Sequence, residues 1–292
     1  MKKILGIDIG GTKIFHSIVN ENGEIIGEII KEATPKTALE IENKLKDIIT
    51  KYEDKVDIIG IATAGAVSCQ NDRIISSTAN MPVGYQDINF KNIFSKLKIV
   101  LENDANCACL AEHKIGAGKG YDNIIVLTLG TGVGGGIIIN NKLLKGKNGA
   151  AGEMHFKMMR EPVRKCTCGS SDCFEIYASG NGLRLTAAEL SGNPDISTYD
   201  VIEGLKNGDE SMSKIFAVWQ NDIINGIIGL ADIFDPDVVV LSGSMAQFTD
   251  TDFITEKVNS QIVTQPTKVV KATAGNYSGM IGAALLALEA YS

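Results

Sequence analysis

Two stretches of the chain share one pattern of apolar and small residues. An apolar run at 4–9 passes into a turn of glycine and threonine and continues as a second apolar run at 14–19. A run at 124–129 passes into a similar turn and continues at 136–139. Short apolar runs on both sides of a glycine turn predict pairs of buried strands. Because the arrangement occurs twice, the pattern predicts a duplicated fold.

The rest of the pattern predicts a similar succession of elements in each half. A third strand is expected at 24–30, a helix opens at Pro35, strands follow at 58–62 and 99–101, and a helix covers 105–115. The second half predicts strands at 142–144, 238–241 and 268–273, with helices near 181–190, 199–207, 210–234 and 280–291. Hairpin strands followed by alternating helices and strands predict a mixed α/β protein of two related domains.

Length and charge limit the number of domains and the kinds of partner that the chain is expected to have. The chain has 292 residues, is 44% hydrophobic and carries a net charge of −7. That length favours two domains. We predict a small N-terminal lobe at 1–117, on which a C-terminal helix at 280–292 packs, and a large lobe at 118–279. No basic stripe is present, which argues against nucleic acid and membrane partners. With no apolar run suited to a signal peptide, we expect a cytoplasmic protein.

The two glycine turns favour phosphate binding. Such turns expose backbone N–H groups that suit phosphate oxygens, although a single copy is equally compatible with an ordinary hairpin. The second turn formally matches G-x-G-x-x-G, but a strand follows it where a dinucleotide-binding fold has a helix. No G-x-x-x-x-G-K-[ST] sequence occurs, so a P-loop is also excluded.

Candidate phosphate ligands lie at three strand ends. Asp8 is expected to hold Mg²⁺, directly or through water, unless it serves only as a turn residue. The turn N–H groups and Thr12 are expected to contact phosphates, and Lys13 to offset their charge. Gly243 follows a buried strand, where open α/β sheets bind ligands, so we expect it near the adenosine or the α-phosphate. The candidate phosphate-binding residues are Asp8, Gly10, Gly11, Thr12, Lys13, Gly130, Thr131, Gly132 and Gly243.

Asn103 and Asp104 stand where a predicted strand passes into a helix. In one interpretation Asp104 is only the helix N-cap, with Asn103 in the turn. In the other, Asp104 accepts the proton of an attacking hydroxyl group, because a carboxylate at a helix N-terminus can orient a nucleophile in phosphoryl transfer. The two interpretations are compatible.

Three of the six cysteines are clustered. Cys166, Cys168 and Cys173 have the short spacing of metal ligands, and His155 lies upstream. Three cysteines and one histidine would complete a tetrahedral zinc site of structural type. Three free cysteines in a loop are the alternative.

These motifs, in their order along the chain, resemble the ROK family of sugar kinases and related repressors. The resemblance covers essentially the whole chain and implies an actin-like, two-lobed ATPase fold in which sugar and ATP meet in a cleft. Repressor members carry an extra N-terminal DNA-binding region. Because the first strand here begins near residue 3, we favour the kinase branch. The matching motifs are Asp8–Lys13, Asn103–Asn106, Leu129–Gly136, Gly152–Glu153 and Cys166–Glu175.

The resemblance also implies roles for individual residues. Asp104 matches the catalytic aspartate of the family. The cysteine cluster matches its structural zinc site, and relatives are often homodimers or homotetramers. The residues that match sugar ligands are Gly65, Asn80, Asn103, Asp104, Glu153, His155 and Glu175.

The chain departs from the family pattern near the cysteines. The usual Gly-Glu-x-Gly-His reads Gly-Glu-Met-His-Phe here, which places His155 one position early and Phe156 in the usual histidine position. Either the backbone shifts so that His155 still reaches the metal, or zinc is lost or differently ligated. Asp172 stands where relatives have glycine, and Ala64, before Gly65, where they have proline.

The sequence therefore predicts an ATP- and Mg²⁺-dependent kinase that phosphorylates a primary hydroxyl, O6, of a hexose or hexose derivative. The substrate stays open among glucose, N-acetylmannosamine and β-glucosides, with fructokinase specificity as an alternative. A non-catalytic sugar-binding regulatory protein of the same family is the alternative from another class.

Overall fold

The computed structural model describes residues 2–78, 80–93 and 96–291, without the side chains of residues 91 and 92. The strands are β1 (Lys3–Ile9), β2 (Lys13–Asn20), β3 (Ile30–Ala33), β4 (Ile58–Thr63), β5 (Ala66–Val67), β6 (Ile74–Ser76), β7 (Ile99–Asn103), β8 (Ile124–Leu129), β9 (Val133–Ile139), β10 (Lys142–Leu143), β11 (Val238–Ser242) and β12 (Lys268–Lys271). The α-helices are α1 (Ala38–Tyr52), α2 (Phe90–Ile93), α3 (Asp104–Ile115), α4 (Phe174–Ala178), α5 (Gly180–Ser191), α6 (Thr198–Lys206), α7 (Glu210–Phe234), α8 (Thr251–Asn259) and α9 (Ser278–Glu289). Within these described ranges, no helix is long and apolar enough to cross a membrane.

Two five-stranded sheets have the same plan. The first has the order β3-β2-β1-β4-β7, and the second has the order β10-β9-β8-β11-β12. In the first sheet β1, β2 and β3 pair antiparallel, whereas β4 and β7 add in parallel. In the second sheet β11 lies parallel between β8 and β12. Equivalent strands thus take equivalent positions, and the predicted mixed α/β duplication is confirmed.

The chain divides into two compact units. One consists of Met1–Gly120, Gly136–Gly152 and Thr273–Ser292, and the other of Tyr121–Gly135 and Glu153–Ala272. We refer to them as the first and the second unit. The predicted lobe limits at residues 117 and 279 stay predictions.

The third predicted strand was placed wrongly. Residues 24–29 form no strand, and β3 begins only at Ile30. Ile25 makes a single bridge with Val19, after which the Ser17 hydroxyl donates a hydrogen bond to the carbonyl oxygen of Glu28 at 3.0 Å. A side chain thus provides a bond that a regular strand would take from the neighbouring backbone.

The terminal helix α9 packs closely within the first unit, against α3, β1 and β4. A Cβ atom on Gly282 would overlap the carbonyl oxygen of Cys107, and one on Gly60 would overlap that of Ala283. These contacts join backbone to backbone, so no side-chain movement can make room for an added methyl group.

We therefore expect Gly282→Ala to lower the free energy of unfolding by about 3 kcal/mol, the upper range for overpacked cores. Gly229→Ala is the matched control, because Gly229 lies in α7 and its added Cβ would meet nothing within 4 Å beyond the nearby backbone of its own helix. The control should stabilise the protein by up to about 1 kcal/mol through helix propensity. Urea unfolding measures both variants, and equal midpoints would contradict the close packing at Gly282.

Candidate functional site

The carboxyl ends of β1, β4 and β7 bring several predicted residues of the first unit together. Ile9 pairs with Thr63, and Thr63 pairs with Asn103. Because these three strands are parallel, the segments that follow them leave the same edge of the sheet. Asp8, near the end of β1, and Asp104, directly after β7, are close enough for their charges to interact.

Asp8 has a strongly perturbed carboxyl group at this edge. Burial, with a smaller contribution from the charge of Asp104, raises the pKa of Asp8 to about 7. A Cβ atom on Gly279, in the first turn of α9, would come within 2.6 Å of the Asp8 carboxylate. The absence of a side chain there leaves room for this carboxylate beside the helix. Two neighbouring carboxylates repel one another and together suit a hard divalent cation such as Mg²⁺.

The turn after β1 is closed by hydrogen bonds and is exposed over most of its length. The N–H of Gly10 donates to the carbonyl oxygen of Lys13 at 2.9 Å, which closes the turn, and the Thr34 hydroxyl donates to the Gly10 carbonyl oxygen at 2.6 Å. Gly11, Thr12 and Lys13 are exposed. A Cβ atom on Gly11 would come within 2.8 Å of the Asn80 carbonyl oxygen, so Asn80 lies directly against this turn.

The helix N-cap is Asn103 and not Asp104. The Asn103 side chain accepts hydrogen bonds from the N–H groups of Ala105 and Asn106 at 3.0 and 3.1 Å, and α3 begins at Asp104. The interpretation of Asp104 as the N-cap was therefore wrong. Asp104 occupies the first helical position, where its Oδ1 accepts the N–H of Ala105 at 2.8 Å. Its carboxylate is held at a helix N-terminus without being needed as the cap.

Gly65 belongs to the same group. The Asn103 amide donates to the Gly65 carbonyl oxygen at 3.0 Å. Gly65 has φ 96°, and a Cβ atom there would overlap the carbonyl oxygen of Ser76, so the conformation requires glycine. Gly65, Asn80, Asn103 and Asp104 are thus brought together with the turn after β1.

Sequence reasoning missed Tyr85 beside this group. Its ring is fully buried, and its hydroxyl group lies 2.6 Å from the Thr63 hydroxyl, at the end of β4. Burial raises the pKa of Tyr85, and the charges of Asp104 and Asp8 raise it further. A lone tyrosine after a proline-containing turn gave no signal of this position.

A pocket of about 310 Å³ lies in the second unit, at the ends of β8 and β11. The N–H of Gly180 donates to the Gly130 carbonyl oxygen at 2.8 Å, and the N–H of Met245 donates to that of Leu129 at 2.9 Å. Gly243 has φ 86°, and a Cβ atom there would overlap Leu129, which explains why glycine follows β11. Residues that line the pocket are Gly130, Thr131, Gly180, Asn181, Thr198, Tyr199, Ile202, Ser244, Met245, Gln247 and Phe248.

Most of that lining was not predicted. Of the sequence candidates, Gly130 and Thr131 line the pocket, and Gly243 directly precedes the lining residue Ser244. The lining residues from α5 and α6 come from segments predicted only as helices. The spacing of apolar residues along a helix indicates which face is buried, whereas the helical residues that line this pocket lie near the helix starts.

Glu175 connects the second glycine turn with the cysteine cluster. Its Oε2 accepts the N–H of Val133 at 3.1 Å, and a Cβ atom on Gly132 would come within 2.5 Å of it. Its Oε1 lies 3.7 Å from the Cys166 sulfur and 3.4 Å from the Thr167 hydroxyl. Glu175 is therefore brought to the turn after β8, whereas Glu153 is exposed.

The three cysteine sulfur atoms lie within 4.8 Å of one another. Three converging thiols suit zinc, which favours thiolate ligands. Of the residues the structure describes, no histidine joins this group, and His155 is exposed. Met154 is buried and Phe156 stacks on Phe174 with ring centroids 4.9 Å apart. Met154 and Phe156, on either side of His155, make these packing contacts, whereas His155 itself faces solvent.

Asp172 shows how the chain tolerates a replaced glycine. Its φ of 60° lies in the left-handed region. Asparagine and aspartate enter this region more easily than other residues, because their short side chains form local hydrogen bonds. The Asp172 carboxylate accepts the N–H groups of Met159 and Arg160 at 2.7 and 3.2 Å, which ties the cysteine loop to the preceding segment.

Comparisons with known proteins identify relatives over the full length. The family model described as "ROK family" matches residues 4–290. "Glucokinase" from Streptomyces coelicolor is 33% identical, over 98% of this chain and 97% of that protein. "N-acetylmannosamine kinase" from Yersinia pseudotuberculosis is 32% identical, over 98% of this chain and 99% of that protein.

Solved structures agree with this relationship. A ROK hexokinase from Thermus thermophilus has a TM-score of 0.84 at 27% identity, with 99% of each chain covered. A ROK family glucokinase from Streptomyces griseus, in complex with glucose and AMPPNP, has a TM-score of 0.78 at 31% identity, with 98% and 99% covered. The actin-like ATPase fold predicted from the sequence is confirmed.

Proposed function

Because this chain belongs to the ROK family, we propose that it is an ATP-dependent sugar kinase that transfers the γ-phosphate to a primary hydroxyl, O6, of a hexose or hexose derivative. The chain is a sugar phosphotransferase, because its full-length relatives are named as sugar kinases. The observation that supports the proposed chemistry best is the pair Asp8 and Asp104. The two carboxylates interact at one sheet edge, one beside a glycine turn and the other at a helix N-terminus.

Asp104 is the proposed catalytic base. In a loose phosphoryl-transfer transition state the base mainly orients the attacking hydroxyl group and then takes its proton. The first helical position suits this role, because the backbone N–H of Ala105 donates to Oδ1 of Asp104 and orients the carboxylate at the helix N-terminus. The neighbouring side chains Asn80 and Asn103 and the backbone at Gly65 are the proposed sugar contacts of the same unit.

Asp8 is the proposed ligand of Mg²⁺, directly or through water. The cation, when bound, would neutralise charge on the transferred phosphate oxygens. Asp8 fits this role because burial and Asp104 both disfavour its lone negative charge, which a cation would offset. We propose that Gly10, Gly11 and Thr12 contact the phosphates through N–H and hydroxyl groups, and that Lys13 adds positive charge.

The second-unit pocket is the proposed nucleoside site. Its mixed lining of backbone, Thr131, Asn181 and aromatic side chains suits an adenosine, and its glycine edge suits the attached phosphates. We place Gly130, Thr131, Gly132 and Gly243 in this role. Glu153, His155 and Glu175 stay predicted sugar ligands.

A panel of sugars with coupled detection of ADP tests the proposed function. It should include glucose, N-acetylmannosamine, fructose, mannose and a β-glucoside, because relatives of two specificities are almost equally similar. Sugar-dependent ADP release, with the phosphate located on O6 by NMR, is the expected result. No release with any sugar, together with sugar binding in calorimetry, would favour the non-catalytic regulatory protein.

We also propose that Cys166, Cys168 and Cys173 hold a structural zinc ion. Zinc bound at these residues would stabilise the loop that leads into α4 and thereby the position of Glu175, which contacts both Cys166 and the second glycine turn.

Metal analysis after dialysis should find about one zinc per chain. Cys168→Ser should lose the zinc and lower the melting temperature, because metal binding to the folded state adds to its stability. Cys168 is exposed, so its replacement disturbs packing little. Cys69→Ser, outside the cluster, should keep the metal. Zinc retained in Cys168→Ser would contradict the site, and His155→Ala decides whether His155 is the fourth ligand.

A further inference from the structure

Glu102 is a fully buried carboxylate directly before the proposed catalytic turn. It is the fourth residue of β7, has 0% of its surface exposed, and precedes Asn103 and Asp104. A buried charge is costly unless it is paired and hydrogen-bonded, so its retention in the sequence needs a reason. We propose that Glu102 is a positioning residue for phosphoryl transfer, which rests on the proposed role of Asp104.

Each oxygen of the Glu102 carboxylate accepts two hydrogen bonds. Oε1 accepts the backbone N–H of Asn103 at 2.8 Å and the side-chain amide of Asn106 at 3.1 Å. Oε2 accepts the Asn71 amide at 2.9 Å and the Lys145 ammonium group at 2.6 Å. Oε1 therefore faces the start of α3, and Oε2 faces the side chains of Asn71 and Lys145.

The bonds of Oε1 act on the turn that carries Asp104. The N–H of Asn103 belongs to the peptide just before the N-cap, and Asn106 lies in the first turn of α3. Together with the Asn103 side chain, which bonds to Gly65, these contacts define where the helix starts and therefore where Asp104 lies. A displacement of about 1 Å at a reacting group can cost a factor of about 10² in rate.

Lys145 is the counter-ion of Glu102. Its side chain is 16% exposed, and its ammonium group also donates to the carbonyl oxygen of Ser68 at 2.9 Å. Without Lys145 the Glu102 charge would be buried with only amide donors, which favours movement of the carboxylate. We therefore expect Lys145 to affect the reaction through Glu102, although its own position lies outside the catalytic turn.

A purely structural role is the competing explanation, and Glu112 supplies a matched control. Glu112 is also buried and lies near the opposite end of α3. Its carboxylate accepts the backbone N–H groups of Ala117, Thr273 and Ala274 at 2.8, 3.1 and 2.8 Å. Glu112→Gln removes a buried charge of the same kind near the far end of α3, without touching the turn that carries Asp104.

The experiment compares Glu102→Gln, Lys145→Met, their double variant and Glu112→Gln. Glu102→Gln should lower kcat by about 10–100-fold and leave KM for ATP within about twofold. The double variant should lose no more than the stronger single variant, because both act through one carboxylate. Lys145→Arg should recover most of the activity that Lys145→Met loses. Glu112→Gln should lower the melting temperature but keep kcat within about twofold.

Amide hydrogen exchange over residues 101–107 gives a readout that needs no turnover. Exchange there should accelerate in Glu102→Gln relative to both wild type and Glu112→Gln. An active wild type with unchanged kcat in Glu102→Gln would overturn the inference, as would an equal loss of kcat in Glu112→Gln. An inactive wild type would contradict the proposed function, and exchange would then decide whether Glu102 holds the turn.

Discussion

Replacing Asp104 with asparagine is expected to lower kcat for sugar phosphorylation by about 10²–10⁴-fold, the usual contribution of a positioned general base. Asparagine preserves the size of the side chain but cannot accept the proton of the sugar hydroxyl. Stability should change little, because the N-cap of α3 is Asn103 and its hydrogen bonds to Ala105 and Asn106 remain. KM for ATP should also stay close to the wild-type value.

Asp209→Asn is the matched control for Asp104→Asn. Asp209 caps α7 by accepting the N–H groups of Ser211 and Met212, and asparagine can accept the same bonds. The control therefore makes the same chemical change at a helix start of the second unit and should keep full activity. Steady-state kinetics on the preferred sugar measures both variants. A fall of less than tenfold in Asp104→Asn would show that Asp104 is not the base.

Replacing Asp8 with asparagine should have opposite effects on activity and on stability. We expect kcat to fall by about 10²-fold or more, because the loss of a Mg²⁺ ligand removes several kcal/mol of charge stabilisation from the transition state. The metal-free protein, in contrast, should melt at a higher temperature above pH 7. A variant with impaired folding would lose activity and melting temperature together, so the two explanations are separable.

The pKa of Asp8 explains the gain in stability. Burial, and then the charge of Asp104, raises this pKa from 3.8 to about 7. The protonated form is therefore favoured by folding, and its contribution is fully present below about pH 4 and is lost as the pH rises through about 7. Asparagine is neutral at every pH and avoids that loss. The advantage of Asp8→Asn should be larger at pH 8.5 than at pH 5.

Melting curves at pH 5 and pH 8.5, with and without Mg²⁺, test the assignment of Asp8. Added Mg²⁺ should raise the melting temperature of the wild type and have no effect on Asp8→Asn. The kcat/KM of the wild type should rise as the pH increases through about 7, because the ionised form of Asp8 binds the metal. In the absence of Mg²⁺, a melting temperature of Asp8→Asn below that of the wild type at pH 8.5 would contradict the raised pKa of Asp8.

Local signals in the sequence located most helices and strands but were less exact at their ends. The first helix was expected from Pro35, whereas α1 begins at Ala38. The Thr37 side chain accepts the N–H of Glu40, and the Glu40 side chain accepts that of Thr37, which forms a capping box and sets the start. The T-x-x-E signal was present in the sequence and was outweighed by the preceding proline.

The candidate site was only partly readable for a different reason. Asp8, Asn103 and Asp104 stand out because a polar residue ends an apolar strand beside a turn. Glu102 and Tyr85 lie within apolar or unremarkable segments, and their importance depends on partners such as Lys145 and Thr63, which are distant in the sequence. A one-dimensional pattern carries no information on such pairs.

The sequence by itself determined the duplicated strand–turn–strand pattern, the mixed α/β class and the resemblance to a sugar-kinase family, because apolar runs, glycine turns and motif order can be read along the chain without knowing which segments meet in space. Only the tertiary structure decided that Asp8 and Asp104 interact, that Asn103 caps α3 and that His155 faces solvent. Those outcomes depend on the register of β1, β4 and β7 and on the packing of Met154 and Phe156, which arise when distant segments bury their apolar faces together.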